Sequence, residues 1–181
     1  MIRALSASEV AAALPQLAAT LRECVEAGAS VGFVMPFAQS EAEAFFRDSV
    51  LPGVASGGRV LWVASEGPTL TGTVQLSLEM MPNQRHRAEV SKLLVRPAFR
   101  RRGIARALMQ ALLARAAAEQ RPLVTLDTRS GDSAQPLYAA LGFEVAGEIP
   151  GFALAPDGTG RRDATTYMYR TAPEPARPVS P

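Results

Sequence analysis

The chain has 181 residues, of which 48% are hydrophobic and 20% are charged, a composition typical of one globular domain. Its net charge of +2 is too small to predict a nucleic-acid or membrane partner. Because Cys24 is the only cysteine and His86 the only histidine, the sequence excludes an intrachain disulfide and a Cys/His zinc cluster, and we expect no metal.

The N-terminal segment predicts a helix and no targeting signal. The first ten residues lack the charged and apolar regions of a secretory signal, and no apolar run approaches the ~20 residues of a membrane span, so we expect a cytoplasmic protein. Ser6-x-x-Glu9 is a capping-box pattern ahead of apolar residues at helical spacing, and it predicts a helix over residues 6–27. Pro15 within this segment predicts a kink or two shorter helices.

A second helix and a glycine-bearing loop are predicted next. Ser40-x-x-Glu43 repeats the capping-box pattern, and Pro52-Gly53 closes the helix that it predicts. The loop over residues 28–33 lies between the two helices. It is either a plain connection or a segment that closes over a substrate.

Alternating apolar residues after Arg59 predict three antiparallel strands. They are Val60–Ala64, Leu70–Met80 and Ala88–Val95, separated by the turn Gly67-Pro68 and a polar loop over residues 82–86. Together they form half of a sheet.

The second half of the chain alternates helices and strands. A long amphipathic helix follows Gly103 and is stopped by Pro122, and it is followed by a strand over 123–128, a short helix over 133–141, a strand from Gly142 and a last strand over 164–170. Prolines 173, 175, 178 and 181 predict a disordered tail over residues 171–181. The prediction is therefore one domain over residues 1–170.

The stretch from Val95 to Arg106 carries the strongest functional signal. It leaves a strand, turns and enters the long helix, so unpaired backbone N–H groups and the positive end of the helix dipole point to one place. Gly103 and Ala105 leave room there, and arginines 100, 101, 102 and 106 can donate hydrogen bonds to phosphate oxygens. A diphosphate ligand explains this pattern better than a solvated basic turn, because an anion relieves the conflict between basic side chains and the dipole. Neither a P-loop nor G-x-G-x-x-G is present, which disfavours nucleoside-triphosphate and dinucleotide folds.

Two motifs resemble those of the Gcn5-related N-acetyltransferases, the GNAT family. Arg100-x-x-Gly103-x-Ala105 after a strand resembles the coenzyme A motif, and Ala134-x-x-Leu137-Tyr138-x-x-Leu141-Gly142-Phe143 resembles the short helix and strand that follow later. The resemblance implies an α/β fold with one mixed, mostly antiparallel sheet of six or seven strands, flanked by about four helices in the order β-α-α-β-β-β-α-β-α-β-β. One departure is Gly131, where the family often has Asn.

The resemblance also implies the ligand and its contacts. Acetyl-CoA is the expected co-substrate, and its acetyl group passes directly to an amine in a ternary complex. The implied coenzyme contacts are Leu93, Leu94, Val95, Arg100, Arg101, Arg102, Gly103, Ile104, Ala105, Arg106, Ser133 and Ala134. A backbone N–H at a bulge in the 93–95 segment would hold the oxyanion.

Three residues are candidates for catalysis, which needs a neutral amine and a proton for the departing thiolate. Glu89 lies in an otherwise apolar strand, where partial burial would raise the pKa of its carboxyl and make it a base; the alternative is a strand residue that faces solvent. An acid on this strand often has the role of base in the family. Asp127 either acts as a base together with Glu89, holds the substrate amine, or only caps the next loop. Tyr138 matches the family tyrosine that protonates the thiolate. Cys24 has no histidine or basic cluster nearby in sequence, so we expect no acetyl-cysteine step.

The sequence predicts the acceptor molecule less specifically than the coenzyme. Further segments resemble a branch of the family that inactivates a β-lactam amino-acid toxin, which suggests a small amine such as a toxin, an antibiotic or a tabtoxinine-β-lactam-like amino acid. Ser30 and Phe33 are candidate contacts, and Arg87 and Arg129 would pair with a carboxylate. The alternatives are another amine (an aminoglycoside, polyamine, peptide or protein), a non-catalytic acyl-CoA-binding regulator, or an anion-binding module built on the arginine run. We expect a monomer or homodimer.

Overall fold

The computed structural model describes residues 1–172, which are organised around one seven-stranded sheet. The strands are β1 (Ile2–Ala4), β2 (Arg59–Glu66), β3 (Thr69–Ser77), β4 (Arg87–Val95), β5 (Leu123–Arg129), β6 (Glu144–Leu154) and β7 (Arg162–Thr171). They lie in the order β1-β2-β3-β4-β5-β7-β6. All neighbours are antiparallel except β4 and β5, which are parallel. The predicted mixed, mostly antiparallel sheet is thus confirmed.

Helices cover both faces of this sheet. They are α1 (Ala7–Glu26), α2 (Gln39–Phe45), α3 (Leu51–Ala55), α4 (Ile104–Ala118) and α5 (Gln135–Ala139), and a π-helical turn over Phe46–Val50 joins α2 to α3. Strand β2 shows how the two cores are separated: Leu61 and Val63 pack with α1 and α2, whereas Trp62 and Ala64 pack with α4. Successive strand residues point to opposite faces, so one sheet supports two hydrophobic cores.

The first helix begins as predicted and runs without a break. Ser6 N–H donates to Glu9 Oε2 (2.8 Å) and Glu9 N–H donates to Ser6 Oγ (3.4 Å), which together form the capping box. Helix α1 continues through Pro15 to Glu26. Val10 before the proline and Leu17 after it are both buried, so the two halves of the helix pack against the same core. The alternative of two shorter helices is wrong.

The second helix differs from its prediction at both ends. Ala38 is its N-cap, and the Ala38 N–H donates to Glu41 Oε2 (2.7 Å), so the Ser40-x-x-Glu43 pattern does not form the cap. Pro52 does not close the helix either. The π-helical turn ends with a bond from Leu51 N–H to Phe46 O, which places Pro52 in the first turn of α3, where an N–H needs no intrahelical partner.

Other boundaries shift by a few residues. Strand β3 ends at Ser77, before the predicted Met80, and helix α5 is shorter than the predicted 133–141. At the C-terminus β7 includes Thr171, and the Ala172 N–H donates to Pro122 O (2.7 Å), so these two residues are held by the domain and are not part of a tail. The rest of the predicted tail, 173–181, lies outside the described residues. No helix within residues 1–172 is long and apolar enough to cross a membrane.

Candidate active site

A cleft opens where the parallel strands β4 and β5 part. Only residues 87–89 of β4 pair with β5, opposite Leu123–Thr125. Beyond them the strands diverge, so the β5-facing N–H and C=O groups of the second half of β4 have no strand partner on that side. The cleft has a volume of about 840 Å³, within the ~300–1,000 Å³ that is usual for ligand sites.

A β-bulge lies at the wall of this cleft. Thr73 pairs with Leu94 and Gln75 pairs with Ser91, so the single β3 residue between them faces two residues of β4, Lys92 and Leu93. Lys92 has the left-handed φ of 52°, and the Thr73 hydroxyl donates to the Lys92 carbonyl (3.2 Å). The bulge begins one residue before the predicted 93–95 segment, and it redirects the Lys92 side chain into the cleft.

The start of α4 presents backbone donors to the cleft. Gly103 is its N-cap with φ of 79°, no side chain caps the helix, and the first intrahelical bond runs from Ala107 N–H to Gly103 O (3.1 Å). Within residues 1–172, the N–H groups of residues 104–106 therefore have no protein acceptor, and the helix dipole adds partial positive charge there. A Cβ on Gly103 would meet no atom within 4 Å, so open space lies beside these donors. This arrangement fits a diphosphate group.

The four arginines of the loop have different surroundings. Arg100, Arg101 and Arg106 line the cleft. Arg102 does not: its guanidinium donates to Glu66 Oε2 (3.5 Å) and to Ala98 O (3.2 Å), and it stacks over a phenylalanine ring. The sequence placed the Arg102 side chain among the phosphate contacts, but Glu66 at the end of β2 and Ala98 of the loop hold it outside the cleft lining.

Tyr138 closes the inner wall of the cleft, beside Ser133 and Ala134. Its side chain is only 6% exposed. Burial, followed by the negative charges of Asp132 and Asp127, raises the pKa of the Tyr138 hydroxyl well above its usual range. The hydroxyl therefore keeps its proton at neutral pH.

The two candidate carboxylates share one sheet face. Glu89 pairs with Thr125, and Asp127 lies two residues further along β5, so both side chains point to the α1 side. Asp127 lines the cleft and accepts a hydrogen bond from Thr165 Oγ1 (3.4 Å). Glu89 does not line it, and its side chain is 48% exposed, with a carboxylate oxygen 3.7 Å from Arg87. The predicted partial burial of Glu89 is wrong, because its apolar neighbours along β4 point to the opposite face.

The four predicted acceptor contacts are also spread out. Ser30 lines the cleft, whereas Phe33 packs against Phe37 (4.5 Å between ring centroids) at its side. Arg87 donates to Gln84 Oε1 (2.9 Å) and to a threonine of β5, outside the cleft lining. Arg129 lines the cleft, but its guanidinium donates to Gly28 O (3.1 Å) and to Asp132 (3.2 Å). Both arginines thus hold protein segments together.

Nothing in the sequence pattern indicated the role of Lys92 in this cleft. Its ammonium lies 5.9 Å from the centroid of the Phe33 ring and 5.6 Å from that of Phe45, and cation–π contacts of this kind contribute about 0.5–2 kcal/mol. Burial lowers the pKa of Lys92, and the nearby charge of Asp127 acts against this effect. The available signal was that Lys92 is the only lysine of the chain, but position in a bulge requires the structure.

Cys24 is a buried residue of the cleft lining. Its thiol donates to Val95 O (3.4 Å), and the side chain is 1% exposed. Burial raises the pKa of the Cys24 thiol to about 11. At neutral pH it is a protonated thiol and a poor nucleophile.

Comparisons with known proteins agree with this geometry. Residues 25–143 match the model of the acetyltransferase (GNAT) family. The solved structure of yncA from Salmonella typhimurium with its cofactor acetyl-CoA has a TM-score of 0.75 and 21% identity, covering 100% of this chain and 98% of that one. A GCN5-related N-acetyltransferase from Kribbella flavida has a TM-score of 0.76 and 23% identity, covering 95% and 97%. Ribosomal-protein-alanine N-acetyltransferase from Brucella melitensis has a TM-score of 0.74 and 21% identity, covering 95% and 99%. At these identities the structures establish the fold.

Proposed function

Because the chain belongs to the acetyltransferase (GNAT) family, we propose that it transfers the acetyl group of acetyl-CoA to an amine of a small molecule. The family uses acetyl-CoA as acetyl donor. One observation carries the proposal for this chain. A single cleft brings together the uncapped start of α4, the unpaired edge of β4 and the buried hydroxyl of Tyr138.

The donor side of the cleft has the groups that acetyl-CoA requires. The free N–H groups of residues 104–106 and the guanidinium groups of Arg100, Arg101 and Arg106 would hold the diphosphate. The unpaired edge of β4, including residues 93–95, would bond the amide groups of the extended arm as an added strand does. When bound there, the coenzyme supplies an activated acetyl group.

The protein side chains then have separate tasks in the transfer. Asp127, which lines the cleft, holds the acceptor amine. Glu89 lies on the same sheet face with half of its side chain exposed, and it passes the amine proton to solvent. Tyr138 donates its proton to the departing thiolate, and a backbone N–H at the β4 bulge polarises the acetyl carbonyl. Cys24 takes no part, which favours direct transfer in a ternary complex.

We further infer that the acceptor is a small toxin or antibiotic related to an amino acid. This proposal is based on a resemblance in sequence to the tabtoxin-resistance acetyltransferase, in the segments Gly28–Phe33, Leu61–Val63, Gln75–Leu78, Arg87–Val90, Leu126–Thr128, Gly147–Gly151 and Pro156–Gly158. Residues 28–32 and 126–128 line the cleft, and we call this part of it the acceptor side. That two of the resembling segments line the cleft, outside the coenzyme motif, supports the proposal of a similar acceptor.

The test is the release of free thiol from acetyl-CoA by the purified protein. The acceptor panel contains tabtoxinine-β-lactam, aminoglycosides, polyamines and peptides. Thiol release that depends on tabtoxinine-β-lactam supports the proposal in full, and release with another amine replaces only the acceptor. Coenzyme binding without release from any acceptor would favour a non-catalytic acyl-CoA-binding regulator, and absence of binding would refute the proposed function.

A further inference from the structure

The ammonium group of Lys92 is a cation on the acceptor side of the cleft. It faces the loop over residues 28–33, since its Nζ lies 3.7 Å from the position that a Cβ on Gly32 would occupy. The rings of Phe33 and Phe45 flank it. Among the described residues, 1–172, no carboxylate lies within ion-pair distance of this Nζ and no acceptor bonds it. The side chain is thus desolvated by aromatic rings without receiving a counter-ion in exchange.

Two charged groups on other strands of the sheet act on Lys92. Asp127 of β5 attracts its ammonium, and Arg59 of β2 repels it. Neither neutralises it at contact distance. The left-handed backbone of the bulge is a further cost, because residues with a side chain rarely adopt it. Strained conformations of this type are concentrated at ligand sites, where the strain positions a functional group.

The other cations near the acceptor are already engaged. Arg87 bonds Gln84, and Arg129 bonds the carbonyl of Gly28 and the carboxylate of Asp132. Arg129 lines the cleft but bonds protein acceptors there, and Arg87 lies outside the lining. Among the described residues, Lys92 is therefore the cation on this side of the cleft whose side chain bonds no protein acceptor.

We propose that Lys92 binds a carboxylate of the acceptor while Asp127 holds the acceptor amine, so that the enzyme selects amino acids and amino-acid-like molecules. Lys92 belongs to β4 and Asp127 to β5, and both line the same cleft. A small zwitterion would match both charges at once. This inference rests on the proposed acetyl transfer and adds a specificity-determining residue to it.

The test compares acceptors that differ only in the carboxylate. Thiol release is measured with a panel of α-amino acids, with the carboxamide of each, and with an aminoglycoside and a polyamine. The variant Lys92→Met removes the charge but keeps an unbranched side chain between the two rings. The matched control, Arg85→Met, removes an exposed positive charge from the loop before β4, outside the cleft lining.

We expect the wild-type protein to prefer the acid over its carboxamide by roughly 10- to 100-fold in kcat/KM, the range for a hydrogen bond between charged groups. Lys92→Met should abolish that preference mainly by raising KM for the acid, so that the kcat/KM values for the acid and its carboxamide become about equal. Arg85→Met should behave as the wild type.

Three results would overturn the assignment of Lys92 while leaving acetyl transfer intact. They are equal use of acid and carboxamide by the wild type, a preference for the acid that survives in Lys92→Met, and a higher kcat/KM for the aminoglycoside or polyamine. The wild-type comparison does not depend on the folding of any variant. Absence of thiol release with every amine would instead refute the proposed function itself.

Discussion

The donor side and the acceptor side of the cleft are built in opposite ways. The proposed donor side comes mainly from one contiguous segment, residues 93–106, where the groups proposed to bind the coenzyme are largely backbone N–H groups at a bulge and a helix start. The acceptor side combines side chains from the loop over 28–33, from β4 and from β5. A backbone site is fixed by local conformation, whereas a site of dispersed side chains can change with each residue. Substitutions should therefore separate into those that affect every acceptor and those that change its identity.

The largest effect is expected at Tyr138, where the two sides meet. Tyr138→Phe removes the proton donor but keeps the buried ring, so kcat should fall by about 10²- to 10⁴-fold while the Kd for acetyl-CoA stays the same. Steady-state kinetics and calorimetric titration give the two values. Tyr169→Phe is the control, since that hydroxyl bonds only the exposed Glu144 (3.0 Å). An unchanged kcat in Tyr138→Phe would contradict the role of general acid.

The backbone character of the donor side is tested at Gly103. Gly103→Glu places a carboxylate in the open space beside the free N–H groups, and like-charge repulsion should raise the Kd for coenzyme A by about 100-fold or more. The φ of 79° also disfavours any side chain. Gly103→Ala separates the two causes, because it introduces the backbone strain without the charge. Normal coenzyme binding by Gly103→Glu would rule out the phosphate site.

Local sequence pattern was sufficient to place the 95–106 turn at the cleft, but it was not sufficient to place the side chains proposed for the acceptor, and the reason is physical. The direction of the N–H groups of residues 104–106 is determined by a strand, a glycine and an amphipathic helix that follow one another in the sequence. A local sequence pattern is therefore enough to predict it. By contrast, the exposure of Glu89 depends on which sheet face is covered, and the placement of Lys92 depends on a bulge set by pairing with β3. Arg102 was misassigned because Glu66, distant in sequence, lies close enough to bond it. All three features depend on contacts between parts of the chain that are distant in sequence.

The same logic applied to the fold. Helix α1 and the succession of strands and helices after Arg59 followed from periodicity, but the end of the second helix did not, because a π-helical turn allowed the helical path to continue past Pro52.

The next effect in size separates the two carboxylates of the acceptor side. Asp127→Asn should lower kcat/KM by about 100-fold, since it removes the charge that holds the amine, and Glu89→Gln should lower it by about 10-fold, since solvent can replace a half-exposed proton carrier. The two variants are nearly isosteric with the wild type, so each serves as a control for the other. The reverse order of effects would exchange the assigned roles.

The smallest effect is expected at Cys24, a buried residue of the cleft lining. With a pKa of about 11, its thiol is almost entirely protonated at pH 8, so alkylation by iodoacetamide should be roughly 100-fold slower than that of free cysteine, whose pKa is about 8.5. Mass spectrometry can follow this reaction at one site, because the chain has no other cysteine. Cys24→Ala should leave kcat and the sequential kinetic pattern unchanged and should reduce the free energy of unfolding by about 1 kcal/mol through lost packing. Loss of transfer in this variant, together with rapid alkylation of the wild type, would require a covalent acetyl-cysteine step. The Cys24 thiol would then carry the acetyl group during the reaction, and a division of the cleft into donor and acceptor sides would no longer describe the mechanism.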